Sequence, residues 1–205
     1  MDFMQTQVET KKHCFSCNLY CMIIPILTKG SWDNMKQYDL SPDSQMTPII
    51  GLLHSTVTYN FARLKRLVKG LTQEDIDYKG QNNEFNSIAQ LLRHLAVVDL
   101  HWVFRLQSKY IPAELQEAFG KMYDEDGKLP IVKNIPLQKL LTEYEQVQSM
   151  FKEVCIKKTD NDLQEVVPFE NGNSATVRWG IWHIADHSRH HYANISHLKR
   201  LLRKL

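Results

Sequence analysis

The sequence has no long apolar run, no strong excess of charge of either sign, and no cysteine framework. A helix that spans a bilayer needs about 18 consecutive apolar residues, and the nearest candidate, residues 14–27, is interrupted by Asn18 and Pro25. The formal net charge is only +2, whereas nucleic-acid-binding domains usually carry a strong basic excess on one face. We therefore predict neither a membrane span nor a nucleic-acid partner.

Three of the four cysteines, Cys14, Cys17 and Cys21, lie close together, and Cys155 stands alone. This is not the cysteine framework of a disulfide-bonded secreted domain, so we expect a reducing, cytoplasmic setting. The spacing of the first three cysteines matches no strong zinc pattern, and a metal knuckle there would need His13 as its fourth ligand.

Residues 1–45 lack the sustained helical periodicity of the remaining chain. We predict that they form a poorly ordered N-terminal extension, and that residues 46–205 form one helical domain. A further hypothesis is that residues 1–34 are an upstream translation and that the native protein starts at Met35. An intact N-terminus at Met1 in a mass spectrum of the native protein would contradict it.

Apolar residues repeat every three or four positions in four segments, which is typical of helices with one buried face. The predicted helices cover about residues 47–71, 87–109, 136–157 and 175–202. Ser87 and Gln90 predict a capping box at the start of the second helix, and Ser174 or Thr176 is expected to cap the fourth. The pattern predicts an all-α, four-helix bundle.

The connection over residues 110–135 is unusually long for a helical bundle. Its length permits a crossover, so that the second and third helices need not be antiparallel neighbours. A short helical turn is predicted within it at residues 113–119, after Pro112. In the last connection, Val166, Val167 and Phe169 favour a brief extended segment, but they imply no sheet.

Four of the nine histidines fall between residues 183 and 191. Side chains four residues apart on a helix lie on the same face, and two histidines at that spacing can chelate one ion. The apolar stripe of this helix directs His187 and His191 inward, while His183 and His190 rotate towards the periphery. Burying two imidazoles one turn apart is costly unless a shared group satisfies them.

A third ligand must come from another helix. His94 lies at the inner margin of the second helix and is the best candidate, His101 follows two turns later on the same side, and His54 on the first helix is a further alternative. Asp99 and Asp186 could orient a ligand imidazole. Tyr192 and Trp102 could line the site or simply pack.

Two segments resemble the two motif regions of the DinB-like metalloprotein family. They are SIAQLLRHLAVVDLHW, residues 87–102, and WHIADHSRHHYANISHLK, residues 182–199. With the pattern of the first helix, the resemblance covers roughly residues 46–203. Family members often continue the second motif with Arg-Gly-Gln, whereas this chain has Tyr192-Ala193-Asn194.

The resemblance implies an up-down-down-up four-helix bundle and a three-histidine site for one divalent ion. Carried over by position, the implied ligands are His94, His187 and His191. An all-imidazole set suits zinc, nickel, iron and copper alike, and we expect zinc or nickel before iron. The family also includes enzymes that use a low-molecular-weight thiol.

Three imidazole ligands leave at least one coordination position open, as in catalytic metal sites. An ion there could activate a thiolate for transfer to an electrophile or a water for hydrolysis. The sequence therefore predicts a divalent-metal-binding protein with a small-molecule substrate, first of all a thiol S-transferase. The alternatives are a metal-dependent hydrolase and a non-catalytic bundle in which a structural metal joins two helices, with a homodimer as one arrangement.

Overall fold

The computed structural model describes residues 38–203, and this part of the chain is mostly helical, as predicted. Cys14, Cys17 and Cys21, considered as an alternative metal knuckle, and the hypothetical start at Met35 lie outside the described residues. The helices are α1 (Pro48–Val68), α2 (Gln73–Asp77), α3 (Ile88–Arg105), α4 (Ala113–Phe119), α5 (Leu137–Lys157) and α6 (Val177–Leu202). Two short strands, β1 (Val166–Pro168) and β2 (Ser174–Thr176), precede α6.

The start of α3 is fixed by hydrogen bonds that also hold the long connection in place. Ser87 Oγ accepts from the Gln90 amide at 3.1 Å, and the Ser87 amide donates to Gln90 Oε1 at 3.0 Å. This is the predicted capping box, which satisfies two backbone donors at the helix end. The Gln90 side chain also donates to the carbonyl oxygens of Leu129 and Pro130 at 3.0 and 3.1 Å, so the connection is anchored one turn before His94.

Helix α1 runs in the same direction as α6, against which it packs. Asn60 Nδ2 donates to the carbonyl oxygen of Ala185 at 2.9 Å, and further along both helices Lys199 Nζ donates to the carbonyl oxygen of Leu67. Helix α1 is also in contact with α5.

Helix α3 packs against both α5 and α6. It runs antiparallel to α6, because His94 contacts the ring of His191 while Trp102, two turns later, contacts that of Trp179. The face of α3 towards α6 is tightly packed at Trp102, since a Cβ added at Gly180 would lie 2.6 Å from its ring. Close packing at this level fixes the separation of α3 and α6 two turns from His94.

The structure departs from the predicted elements in the connections. The two strands pair antiparallel, with Val167 opposite Ala175, so the expectation that this segment implies no sheet was wrong. The hairpin forms because Asn171 and Gly172 adopt the left-handed backbone conformation, with φ of 56° and 75°, which closes a tight turn. Helix α2 was not predicted, because only one of its residues, Ile76, is buried.

The long helices begin and end close to their predicted bounds. Helix α1 ends at Val68 and α3 at Arg105, slightly earlier than the apolar pattern suggested, whereas α4 coincides with the predicted residues 113–119. Thr176 caps α6, with its hydroxyl accepting from the Trp179 amide at 3.3 Å. No helix within residues 38–203 is long and apolar enough to cross a membrane.

Candidate metal centre

Helices α3 and α6 bring His94, His187 and His191 together, although a long stretch of chain separates the first from the other two. One candidate ligand atom from each residue lies within 4.8 Å of those of the other two. The ring of His94 is 5.1 Å from that of His187 and 5.0 Å from that of His191, measured between centroids. We call these three residues the histidine cluster.

The nitrogen atoms of the cluster lie close to the spacing that a shared ion requires. The Nε2 atoms of His187 and His191 lie 3.0 Å apart, so both point to one place. Nitrogens about 2.1 Å from a shared tetrahedral ion lie about 3.4 Å from each other. The residues present therefore fit a divalent ion after small adjustments of the rings.

The environment keeps these imidazoles neutral. Burial lowers the pKa of His187 to about 3, and repulsion from His191 and His94 adds to the effect. Burial, followed by repulsion from His94 and His190, lowers the pKa of His191 to about 3. Burial also lowers the pKa of His94, while the backbone of Met122 acts in the opposite direction. A metal binds the neutral imidazole, so burial prepares the ligands at neutral pH.

Two nitrogens of the cluster lack a partner within the polypeptide. The Nδ1 atoms of His94 and His187 are buried and accept or donate no hydrogen bond within residues 38–203. In His187 the unpaired Nδ1 lies on the opposite side of the ring from the Nε2 atom that faces His191, so Nε2 is the nitrogen that would bind the ion. The Nδ1 atom of His191, by contrast, lies 3.4 Å from Nδ2 of Asn194.

The other histidines lie outside the cluster. His183 stacks between Trp179 and His187, with ring centroids 4.7 and 5.7 Å away. His190 is exposed beside the ring of His191. Both are peripheral, as the helical geometry predicted. Of the two alternatives for the third ligand, His54 stacks on Phe151 at 5.7 Å in the core, and His101 lines a cleft next to the cluster.

Asp99 does not orient a ligand imidazole, which corrects one expectation. Its carboxylate is fully buried and accepts from the Tyr144 hydroxyl at 2.8 Å and from Gln148 Nε2 at 2.9 Å. Burial raises the pKa of Asp99 to about 8, although both hydrogen bonds act in the opposite direction. Asp99 therefore belongs to a polar cluster between α3 and α5.

The structure also shows the surroundings of the three other residues considered near the site, Asp186, Trp102 and Tyr192. Asp186 is exposed, and its charge acts on His183, whose pKa it raises against the larger effect of burial. Trp102 packs with Phe169 at 5.4 Å instead of lining the cluster. Arg63 lies 4.7 Å from the ring centroid of Tyr192, which is therefore part of the contact between α1 and α6.

Two neighbours of the cluster were not predicted. The ring of Tyr123 lies 5.6 Å from that of His94, and Tyr123 belongs to the irregular connection, where periodicity gives no information. Asn194 lies three residues after His191, so its contact with that imidazole could have been found from helical spacing.

Comparison with known proteins assigns a family to most of the chain. Residues 52–202 match the mycothiol-S-transferase family, which is a DinB-like family. The chain is also 44% identical over 163 residues to the uncharacterized protein YkkA of Bacillus subtilis (strain 168), a match that covers 79% of this chain and 93% of that protein.

Proposed function

The chain belongs to the mycothiol-S-transferase family, and from this we propose that it transfers a low-molecular-weight thiol onto a small electrophile at a divalent ion held by His94, His187 and His191. The observation that carries the proposal is the convergence of these three neutral imidazoles from α3 and α6. Zinc or nickel is the proposed ion, with iron as a further candidate, because imidazole ligands suit all three.

The proposed reaction is a nucleophilic displacement. When bound, an ion with three protein ligands supplies an open position and lowers the pKa of a thiol, so that a thiolate forms at neutral pH. The sulfur then forms a bond to carbon, while the leaving group departs with the electron pair of the bond that breaks. The thiol proton is released to solvent.

The chain's own residues hold and shield the reacting groups. His94 is 5% exposed, and α3 and α6 fix all three imidazoles on rigid elements instead of loops. Such placement keeps ligands close to their required positions. The family match favours thiol transfer over the hydrolase alternative, and the open cleft beside the cluster favours catalysis over a sealed structural site.

We further propose that residues 46–205 form the catalytic domain, an up-down-down-up four-helix bundle with a crossover between its second and third helices. The contacts that support this are the common direction of α1 and α6 and the opposite direction of α3. A homodimer stays a prediction that size measurements in solution can test.

The proposal is tested by metal content and conjugation rate, measured on the same preparations. We expect about one equivalent of zinc or nickel in the parent, together with formation of a fluorescent conjugate from mycothiol and monobromobimane above the spontaneous rate. His187→Ala and His191→Ala should lose both metal and activity while keeping the helical circular dichroism. His183→Ala, one turn earlier on α6, is the matched control and should keep the metal.

The two readouts separate the parts of the proposal. If both cluster variants bind the ion like the parent, the ligands are assigned wrongly. If the parent holds the ion at this cluster but forms no conjugate, the transferase function is wrong, and a metal-dependent hydrolase and a structural metal are the alternatives left.

A further inference from the structure

Two clefts lie beside the histidine cluster, one on each side of His94 along α3. A larger cleft of about 730 Å³ has Val97 in its wall, and a smaller one of about 300 Å³ has Leu91. His94 lies midway between these two residues in the sequence. Because a helix rises 1.5 Å per residue, each wall is within about 5 Å of His94 along the helix axis.

Each cleft also shares one side chain with the surroundings of the cluster. Tyr123 lines the larger cleft, and its ring lies 5.6 Å from that of His94. Asn194 lines the smaller cleft, and its amide lies 3.4 Å from Nδ1 of His191. Each cleft is therefore bordered by a side chain that contacts a different member of the cluster.

The walls of the two clefts differ in chemistry. The larger cleft combines an apolar floor with side chains that donate hydrogen bonds, among them Arg105, Gln116 and Lys121. The smaller cleft has a mixed wall, with apolar side chains from Phe85, Leu91 and Leu198 and polar ones from Glu84, Asn86, Asn194 and His197. The first suits a sizeable molecule rich in oxygen acceptors, and the second, with less than half the volume, suits only a smaller molecule.

We propose that the two clefts divide the substrates of the transfer reaction: the larger binds the oxygen-rich body of the thiol, and the smaller binds the electrophile. This inference rests on the proposed function, because only a reaction with two substrates needs two sites at one centre. The sulfur and the electrophilic carbon then meet at the histidine cluster, where the S–C bond forms. Both volumes are in or near the range of small-molecule sites.

The test fills one cleft at a time with a bulky side chain. Leu115→Trp obstructs the larger cleft and His197→Trp the smaller, while Gln146→Trp, exposed on α5 and outside both clefts, is the matched control. The KM values for mycothiol and monobromobimane are measured separately with the metal-loaded protein. Binding of the purified mycothiol–bimane conjugate is measured by fluorescence anisotropy, which does not depend on turnover.

We expect Leu115→Trp to raise the KM for mycothiol about tenfold and to leave that for monobromobimane within about twofold. His197→Trp should instead raise the KM for monobromobimane about tenfold and leave that for mycothiol within about twofold. Both variants should weaken binding of the conjugate, which occupies both clefts, and Gln146→Trp should change neither value. A variant that raises the wrong KM or both, or that binds the conjugate like the parent, overturns the division of substrates.

Failure of the proposed function looks different from failure of this inference. A parent that forms no conjugate from the substrates, yet binds the finished conjugate with both variants weakened, supports the two clefts and contradicts the transfer reaction. A parent that neither forms nor binds the conjugate overturns both.

Discussion

Replacement of Asp99 by asparagine should change how the stability of this protein depends on pH. Asp99 is fully buried, its Oδ2 accepts from Tyr144 and Gln148, and its Oδ1 has no partner within residues 38–203. An asparagine of the same shape keeps an acceptor for these two donors but carries no charge at any pH. The substitution therefore removes the titration and largely preserves the packing.

The sign of the effect follows from the two states of the carboxyl. Its pKa is about 8 in the folded protein, against an ordinary value of 3.8. Between these values the folded state holds the proton and the unfolded state has lost it, so the contribution of Asp99 to stability falls as pH rises. The slope is about −1.4 kcal/mol per pH unit, or roughly 4 kcal/mol between pH 4 and pH 7.

The assay is urea unfolding of parent and variant at several pH values between 5 and 7, followed by circular dichroism with chelator present. The histidines titrate in both proteins, so their contribution cancels in the difference. We expect Asp99→Asn to become more stable relative to the parent with each step in pH. Asp126→Asn, the same change at an exposed position, should follow the parent, and parallel curves for Asp99→Asn and the parent would refute the reasoning.

Two further substitutions test the packing and support of the histidine cluster. Gly180→Ala places a Cβ 2.6 Å from the Trp102 ring. We expect a net loss of stability, because overpacking costs about 1–3 kcal/mol and outweighs a helix-propensity gain of at most about 1 kcal/mol. An unchanged or raised Tm would contradict this. When Nε2 of His191 binds the ion, its Nδ1 carries the proton, and the Asn194 amide can turn so that its oxygen accepts that N–H. Asn194→Ala removes this acceptor and should weaken zinc binding about tenfold in chelator competition. Asn194→Asp keeps an acceptor and should restore the affinity, whereas equal affinity in all three proteins would contradict the role.

The helices were predictable because their signals are local. Ser87 and Gln90 marked the start of α3, and the residues after Thr176 carried a period that directed His187 and His191 to one face. Such signals depend on residues within one or two turns. Contacts between helices could not be predicted in this way, because periodicity shows that a side chain is buried but not which residue it contacts.

The weakest predictions concerned residues whose surroundings come from distant parts of the chain. Asp99 was expected to serve an imidazole, but α5 supplies Tyr144 and Gln148 as its partners. Tyr123 lies beside His94 because Gln90 anchors the long connection, which no pattern within residues 110–135 indicates. His94 itself was preferred over His101 by family resemblance, since both lie on the same side of α3.

The positions of the three imidazoles along the chain also bear on the folding of this protein. An ion bound to all three would act as a cross-link that closes a loop of about 90 residues, from His94 to His187. In the unfolded chain His187 and His191 are still neighbours, but closing the loop to His94 costs roughly 4 kcal/mol of chain entropy before the third bond forms. The unfolded chain would thus hold the ion by two ligands and the folded protein by three. The ion would stabilise the folded protein only by the amount by which three preorganised ligands hold it more tightly than two.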